Sequence, residues 1–170
     1  MKNNKIRGFT LLELLVTIAI VIILTTIGIP SFMGLIRDNN ITATANDFLT
    51  ALNYARSEAV TRNTDVIVKS KSATNKDWSI GWDIFVDSNS NDIVDAGELL
   101  KTHEALASGY TLKSNATNLA TQLVFKSTGL RDTVIGGTFF LCKDNDASTA
   151  RAIIINSVGR ARVDDGAACS

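Results

Sequence analysis

The sequence has few of the residues that build catalytic and metal centres. It contains one histidine, His103, and only two cysteines, Cys142 and Cys169, and it has no phosphate-binding glycine loop. A histidine without a matching nucleophile or carboxylate is unlike the common catalytic triads and transition-metal sites, and two distant cysteines are unlike zinc or CxxC redox motifs. We therefore predict a protein that is not an enzyme and carries no cofactor.

The sequence also has no excess of charge and almost no proline. Seventeen basic residues balance 17 acidic ones, and there is one proline. A balanced charge excludes a general attraction to nucleic acid, so any polyanion binding requires a local basic patch. With 45% hydrophobic residues, no low-complexity tract and a length of 170 residues, the chain has room for one globular domain and an N-terminal segment.

The longest apolar run covers residues 9–29 and is long enough to span a bilayer. The short segment before it contains Lys2, Lys5 and Arg7, which by the positive-inside rule keep that end in the cytoplasm. A secretory signal would have a shorter apolar run followed by a small-residue cleavage site. We predict a single-pass inner-membrane protein with a periplasmic domain.

The sequence GFTLLE from Gly8 to Glu13 resembles the prepilin motif of type IV pilins and type II secretion pseudopilins. The resemblance implies that a prepilin peptidase cleaves after Gly8 and that Phe9 becomes a methylated N-terminus. Cleavage would leave 14 basic and 17 acidic residues. A carboxylate in a bilayer segment is costly, so Glu13 needs a cationic partner, which the Phe9 amine of a neighbouring subunit would supply in a filament. The alternative is a simple signal anchor with Glu13 near the headgroups.

Four segments follow from this interpretation: a leader over 1–8, a transmembrane and filament-core helix over 9–29, its amphipathic continuation over 30–63, and a β-rich globular domain over 64–170. Pro30 is expected to kink or loosen the helix without ending it. Apolar residues after Pro30 recur at helical spacing and predict a stripe that packs on a sheet, made of Ile41, Ala45, Phe48, Leu52, Ala55 and Ala59.

The rest of the chain alternates short β-rich runs with turn-forming clusters, which predicts antiparallel strands. The predicted fold class is α+β and type IV pilin-like, a long N-terminal helix packed on an antiparallel β-sheet domain. Trp78 and Trp82 are predicted to pack in its core rather than to stack on bases. The predicted strands are 65–69, 79–86, 99–103, 110–113, 122–126, 137–142 and 152–156.

Several later patches resemble the GspH/FimT branch of minor pilins: YARSEA at 54–59, WSIGW at 78–82, FVDSN at 85–89 and GRAR at 159–162. The resemblance implies a minor pilin that works with other pilins. FimT-type members are implicated in DNA uptake, and their Gly-Arg-x-Arg motif corresponds to Gly159, Arg160 and Arg162. We expect binding of double-stranded DNA in a pilus during natural transformation; the alternative is a structural minor pilin or pseudopilin that initiates or caps a filament without binding DNA.

The arginine chemistry suits this role, because residues at i and i+2 of an extended loop face the same way and can reach successive phosphates. Asp164 and Asp165 follow directly and would neutralise the arginines if they paired with them. Additional basic candidates, if folding gathers them, are Lys126, Arg131, Lys143 and Arg151.

Two further constellations depend on how the chain folds. The cysteines favour a structural Cys142–Cys169 disulfide in an oxidising compartment, which would also hold the C-terminal tail.

The segment from Asp87 to Glu98 spaces oxygen ligands like a calcium-binding EF-hand loop, but Asp92 stands at the usual glycine position and no helices flank it. A hydrogen-bonded turn is the favoured interpretation there, with a calcium loop as the alternative: Asp87, Asn89, Asn91, Asp95 and Glu98.

Overall fold

Over the residues that the structure describes, the fold is one long helix followed by eight strands. A computed structural model describes residues 9–72, 76–132, 136–166 and 168–169. Its contacts divide the chain into two units, Met1–Asp38 and Asn39–Ser170. The elements are α1 Leu11–Arg62, β1 Val66–Ser70, β2 Trp82–Val86, β3 Leu99–His103, β4 Tyr110–Ser114, a 3-10 turn Thr117–Leu119, β5 Gln122–Phe125, β6 Gly137–Lys143, β7 Asp146–Ile155 and β8 Ala161–Asp165.

Helix α1 runs for 52 residues and continues through Pro30, as the sequence predicted. It ends in a Schellman-type cap, in which Asn63 adopts a φ of 51° and the Thr64 amide donates to the Ala59 carbonyl at 3.2 Å. Apolar side chains dominate its first half, which is long and apolar enough to cross a membrane. There, the Thr17, Thr25 and Thr26 hydroxyls donate to carbonyls three or four residues back, so these polar groups need no external partner.

The strands form two four-stranded antiparallel sheets. One sheet has the order β3-β2-β1-β5 and the other has the order β4-β6-β7-β8. The seven predicted strands are all present, but β2 begins at Trp82 rather than at 79, and β7 begins at Asp146 rather than at 152. Strand β8 was not predicted. It pairs along its whole length with β7, from Arg151 opposite Asp165 to Ile155 opposite Ala161.

The core of the globular unit lies between the second half of α1 and the strands. Every residue of the predicted apolar stripe, from Ile41 to Ala59, is at most 1% exposed, which confirms that prediction. Phe48 lies at the centre and meets Trp78, Trp82 and Phe139 edge-on at ring distances of 5.7, 4.8 and 4.8 Å. Both tryptophans are buried, as predicted, and are therefore inaccessible to a nucleic-acid base.

Candidate functional site

The turn between β7 and β8 carries the Gly-Arg-x-Arg motif. The Gly159 amide donates to the Asn156 carbonyl at 3.1 Å, and the Asn156 amide donates to the Arg160 carbonyl at 3.0 Å. The Asn156 side-chain oxygen also accepts the Arg160 amide at 2.8 Å, an Asx-type contact that closes the turn. Gly159 has a φ of +77°, so the sharp turn predicted at this glycine is present.

A second demand on Gly159 comes from its packing. A Cβ at this position would lie 3.2 Å from both the Gly129 carbonyl oxygen and a ring carbon of Phe125. The same Gly129 oxygen accepts a hydrogen bond from Arg56 Nε at 2.7 Å. The Gly129 carbonyl therefore accepts a hydrogen bond from α1 and lies close to the turn before β8.

Strand β8 explains how the two arginines are presented. Ala161 and Val163 pack against the core, so Arg162, between them, points to the opposite face of the sheet. Arg160 and Arg162 are exposed and line one cavity of about 280 Å³ together with Ile154, Asn156 and Ala161. The motif was predicted to lie in an extended loop; instead, Arg162 is held in a sheet and Arg160 in the turn that precedes it.

The two arginines differ in their partners. Arg162 Nε lies 3.0 and 3.1 Å from the two carboxylate oxygens of Asp164, and its Nη2 lies 3.0 Å from one of them. This hydrogen bond raises the pKa of Arg162 and lowers that of Asp164. Among the residues that the structure describes, none forms a hydrogen bond or ion pair with the Arg160 guanidinium. The motif therefore presents one engaged arginine and one available arginine.

Three other basic candidates are held by structural contacts. Lys126 Nζ lies 2.8 Å from Asp65 and 3.1 Å from Asp132, and the hydrogen bond to Asp65 is the main reason that its pKa is raised. Arg131 lies beside Gly159 but is 6% exposed, and burial lowers its pKa. Arg151 is 8% exposed, so neither guanidinium reaches the surface where Arg160 and Arg162 lie.

Lys143 lies at the other end of the sheet. It pairs with Asp146 at the start of β7, whereas Arg162 pairs with Ile154 near the end of that strand. Eight residues of extended chain separate these positions by roughly 26 Å. Lys143 Nζ also sits 4.6 Å above the Tyr110 ring and donates to the Ser108 carbonyl. Folding therefore brings Arg160 and Arg162 together without the other four candidates.

The predicted disulfide is present. Cys142 and Cys169 are bonded, with their Cα atoms 6.0 Å apart. Because Cys142 lies in β6, the bond ties the last described residues of the chain to the second sheet.

The loop from Asp87 to Glu98 is closed by its own hydrogen bonds. The two Asp87 oxygens accept the Asn91 and Asp92 amides at 3.1 Å. Asp95 accepts from the Asn89 and Asn91 side chains at 2.7 and 2.9 Å. The buried Glu98 accepts the Ser88 and Asp95 amides. Within the described ranges, no group of three or more His, Cys, Asp or Glu side chains is placed to hold a metal ion. These contacts are those of a hydrogen-bonded turn.

At the other end of the chain, Thr10 caps helix α1, which the sequence reasoning missed. Its hydroxyl oxygen accepts the Glu13 amide at 3.2 Å. The signal was available, since Thr-x-x-Glu is the capping-box pattern and places Glu13 where the helix dipole favours an acid. Phe9 is 81% exposed, and most apolar side chains up to Ile36 are exposed as well. Gly8, the predicted cleavage residue, lies outside the described residues.

The fold and the N-terminal sequence together define a type IV pilin-like protein. The prokaryotic N-terminal methylation motif matches residues 3–29, and the family described as type II transport protein GspH matches residues 44–159. Since the second match covers most of the chain, the protein belongs to the GspH family. No match is found among curated protein sequences.

Solved structures of the following two proteins share this fold. The type IV minor pilin FimU of Pseudomonas aeruginosa superposes with a TM-score of 0.63 at 24% identity, over 74% of this chain and 89% of FimU. The minor pseudopilin EpsH of the Vibrio cholerae type 2 secretion system superposes with a TM-score of 0.55 at 14% identity, over 73% of this chain and 95% of EpsH. The predicted fold class and family are confirmed.

Proposed function

We propose that this chain is a minor type IV pilin that binds double-stranded DNA through Arg160 and Arg162 during natural transformation. The observation that supports this most directly is the placement of both arginines on the rim of one exposed cavity, where the turn enters β8. The Arg160 guanidinium is open to a ligand. Neither arginine contributes to the buried core.

The geometry suits a run of phosphates. Arg160 directly precedes β8 and lines the same cavity as Arg162, and positions two apart along a strand are separated by roughly 6.5 Å, which would let each arginine take a separate phosphate. A guanidinium can hold each phosphate with two parallel hydrogen bonds. Contacts to phosphates carry no base sequence, so binding is expected to be non-specific. Two contacts give a salt dependence with a slope no steeper than about −1.8 on a log–log plot.

The N-terminal segment would determine how the chain is processed and where it is located. A prepilin peptidase and methylase would act at Gly8 and Phe9, and α1 would anchor the chain in the inner membrane with the globular unit in the periplasm. The chain would then enter a pilus beside other pilins, through its apolar helix and Glu13. Because each copy offers only two arginines, useful affinity requires several copies on one filament.

The second candidate is a structural minor pilin or pseudopilin that initiates or caps a filament without binding DNA. The Arg162–Asp164 pair favours it, because a paired arginine is a common feature of an ordinary protein surface. The similarity in fold to EpsH, a pseudopilin of a type 2 secretion system, is compatible with this role.

Binding of labelled duplex DNA to the full chain in a neutral detergent distinguishes the two candidates. At low salt, we expect Arg160→Ala/Arg162→Ala to weaken binding by at least about tenfold, since both phosphate contacts are lost. Fluorescence anisotropy measures the affinity across a salt series. The matched control is Arg62→Ala/Lys101→Ala, which removes the same charge from exposed positions on α1 and β3 and should change the affinity by less than about threefold.

Equal binding by the wild type and Arg160→Ala/Arg162→Ala would contradict the DNA site. In a transformable host, the same double variant should assemble pili normally but take up less DNA. Normal transformation by that variant would support the structural candidate.

A further inference from the structure

Asp164 occupies the Nε/Nη2 edge of the Arg162 guanidinium, which is one of the edges that a phosphate could use. Both carboxylate oxygens face the guanidinium, with three contacts of 3.0 to 3.1 Å to Nε and Nη2. These two groups form the fork that holds a bidentate oxyanion. A phosphate can take that edge of Arg162 only after the Asp164 carboxylate has left it. Asp164 therefore competes directly with a phosphate for these donors of Arg162.

The position of Asp164 in β8 keeps its carboxylate beside the Arg162 guanidinium. Residues 162 and 164 lie two apart in a regular strand, so their side chains project from the same face. Across the ladder they face Ile154 and Ala152, neither of which offers a charge. The neighbouring Asp165 points to the other side and pairs with Arg151, with 3.2 Å between Asp165 Oδ1 and Arg151 Nε. The two acids that follow the motif consequently have different roles.

A contribution to folding stability does not explain why Arg162 and Asp164 are paired. The Arg162 and Asp164 side chains keep 68% and 41% of their surface exposed, and exposed ion pairs contribute little to folding. The pair does, however, leave the motif asymmetric, because the Arg160 guanidinium is open whereas one edge of the Arg162 guanidinium is occupied by Asp164. A single anion gains only one contact at Arg160, whereas a polyanion can bind Arg160 and then displace Asp164.

We propose that Asp164 is a specificity-determining residue that limits phosphate binding at Arg162. This inference rests on the DNA-binding function proposed above. Asp164 lowers the affinity of each copy and restricts binding to ligands that present successive phosphates. The displaced carboxylate also takes up a cation, which offsets one of the counterions released from the DNA. Both effects disappear when Asp164 loses its charge.

A double-mutant cycle on the full chain in neutral detergent tests this, with duplex DNA as the probe. Asp164→Asn keeps the size of the side chain and should raise the affinity about fivefold while steepening the log–log salt slope by about 0.9. In an Arg162→Ala background, the same change should raise the affinity less than about twofold, because Asp164 acts through Arg162. Asp47→Asn, an equal charge change on α1, is the matched control and should also give less than about twofold.

The possible outcomes separate this inference from the proposed function. A gain for Asp164→Asn that persists without Arg162, or that Asp47→Asn reproduces, overturns the role of Asp164. Wild-type binding that depends on Arg160 and Arg162 but is unchanged by Asp164→Asn overturns the inference and leaves the proposed function standing. Binding that appears only in Asp164→Asn and requires Arg162 supports the inference and overturns DNA binding by the wild type. If no variant binds, both fail.

Discussion

Gly159 shows how one residue combines a conformational and a packing demand. Its φ of +77° is unfavourable for residues with a Cβ, and its neighbours leave little room for one. The Gly129 carbonyl that a Cβ at this position would meet also accepts a hydrogen bond from Arg56 on α1. A glycine that looks in sequence like part of a DNA motif is therefore also a structural requirement of the turn that presents Arg160.

Gly159→Ala should lower the free energy of unfolding by about 2 kcal/mol, of which about 1 comes from the left-handed backbone. Gly166→Ala is the matched control, because Gly166 has a φ of +78° and a Cβ added there would meet no heavy atom within 4 Å. That variant should lose only the backbone share, about 1 kcal/mol. Urea unfolding followed by the fluorescence of buried Trp78 and Trp82 measures both. Equal losses of unfolding free energy in the two variants would mean that crowding of the added Cβ against Gly129 and Phe125 costs nothing.

At the scale of elements, the important feature is the hairpin of β7 and β8. Arg151 braces it, since its Nη1 donates to the Thr149 carbonyl at 2.9 Å and its Nη2 lies 3.1 Å from the Thr42 hydroxyl on α1. Its Nε pairs with Asp165 on β8. Arg151 therefore joins three elements, whereas Arg160, nine residues later, joins none of the described ones.

Arg151→Ala should destabilise the fold by about 2 kcal/mol, because buried carbonyls lose their donor and Asp165 loses its partner. Arg160→Ala should change stability by less than about 0.5 kcal/mol, as is usual for an exposed side chain. The same urea titration compares the two. If Arg160→Ala were as destabilising as Arg151→Ala, the guanidinium of Arg160 would have a structural role and its availability to phosphate would be in doubt.

At the scale of the whole molecule, the second sheet unites the C-terminal features. The Cys142–Cys169 bond returns the end of the chain to β6, while Arg160 and Arg162 lie at the β7–β8 turn of the same sheet. Several copies on one filament would display the same rigid pair repeatedly. Cleavage after Gly8 would leave 14 basic and 17 acidic residues, so any attraction to DNA would have to come from the proposed local site.

Removal of the disulfide should cost roughly 3 kcal/mol in the chain-entropy model, since the unfolded chain regains the freedom of the closed loop. Cys142→Ser/Cys169→Ser should therefore unfold at lower urea than the oxidised wild type. Dithiothreitol should shift the wild type to the midpoint of the variant and leave the variant unchanged. A shift of the variant by dithiothreitol would show that the reagent acts elsewhere.

Several parts of this structure follow from local pattern. The stripe from Ile41 to Ala59 is buried because helical spacing puts those positions on one face. Strand β8 escaped prediction because its alternation is short, with only Ala161 and Val163 facing the core between charged residues. The strand forms because it pairs with β7 along its whole length, and the local pattern does not reveal that pairing. The division of the strands into two sheets depends on contacts between distant segments, which periodicity does not encode.

Composition and short spacing were enough to predict the apolar helix, the prepilin-like motif and the cysteine pair. Only the folded structure showed which basic residues lie together. It buried Arg131 and Arg151, paired Lys126 with Asp65 and Asp132, and placed Lys143 at the far end of the sheet. It also set Asp164 against Arg162, because both residues lie in β8, where positions two apart share one face.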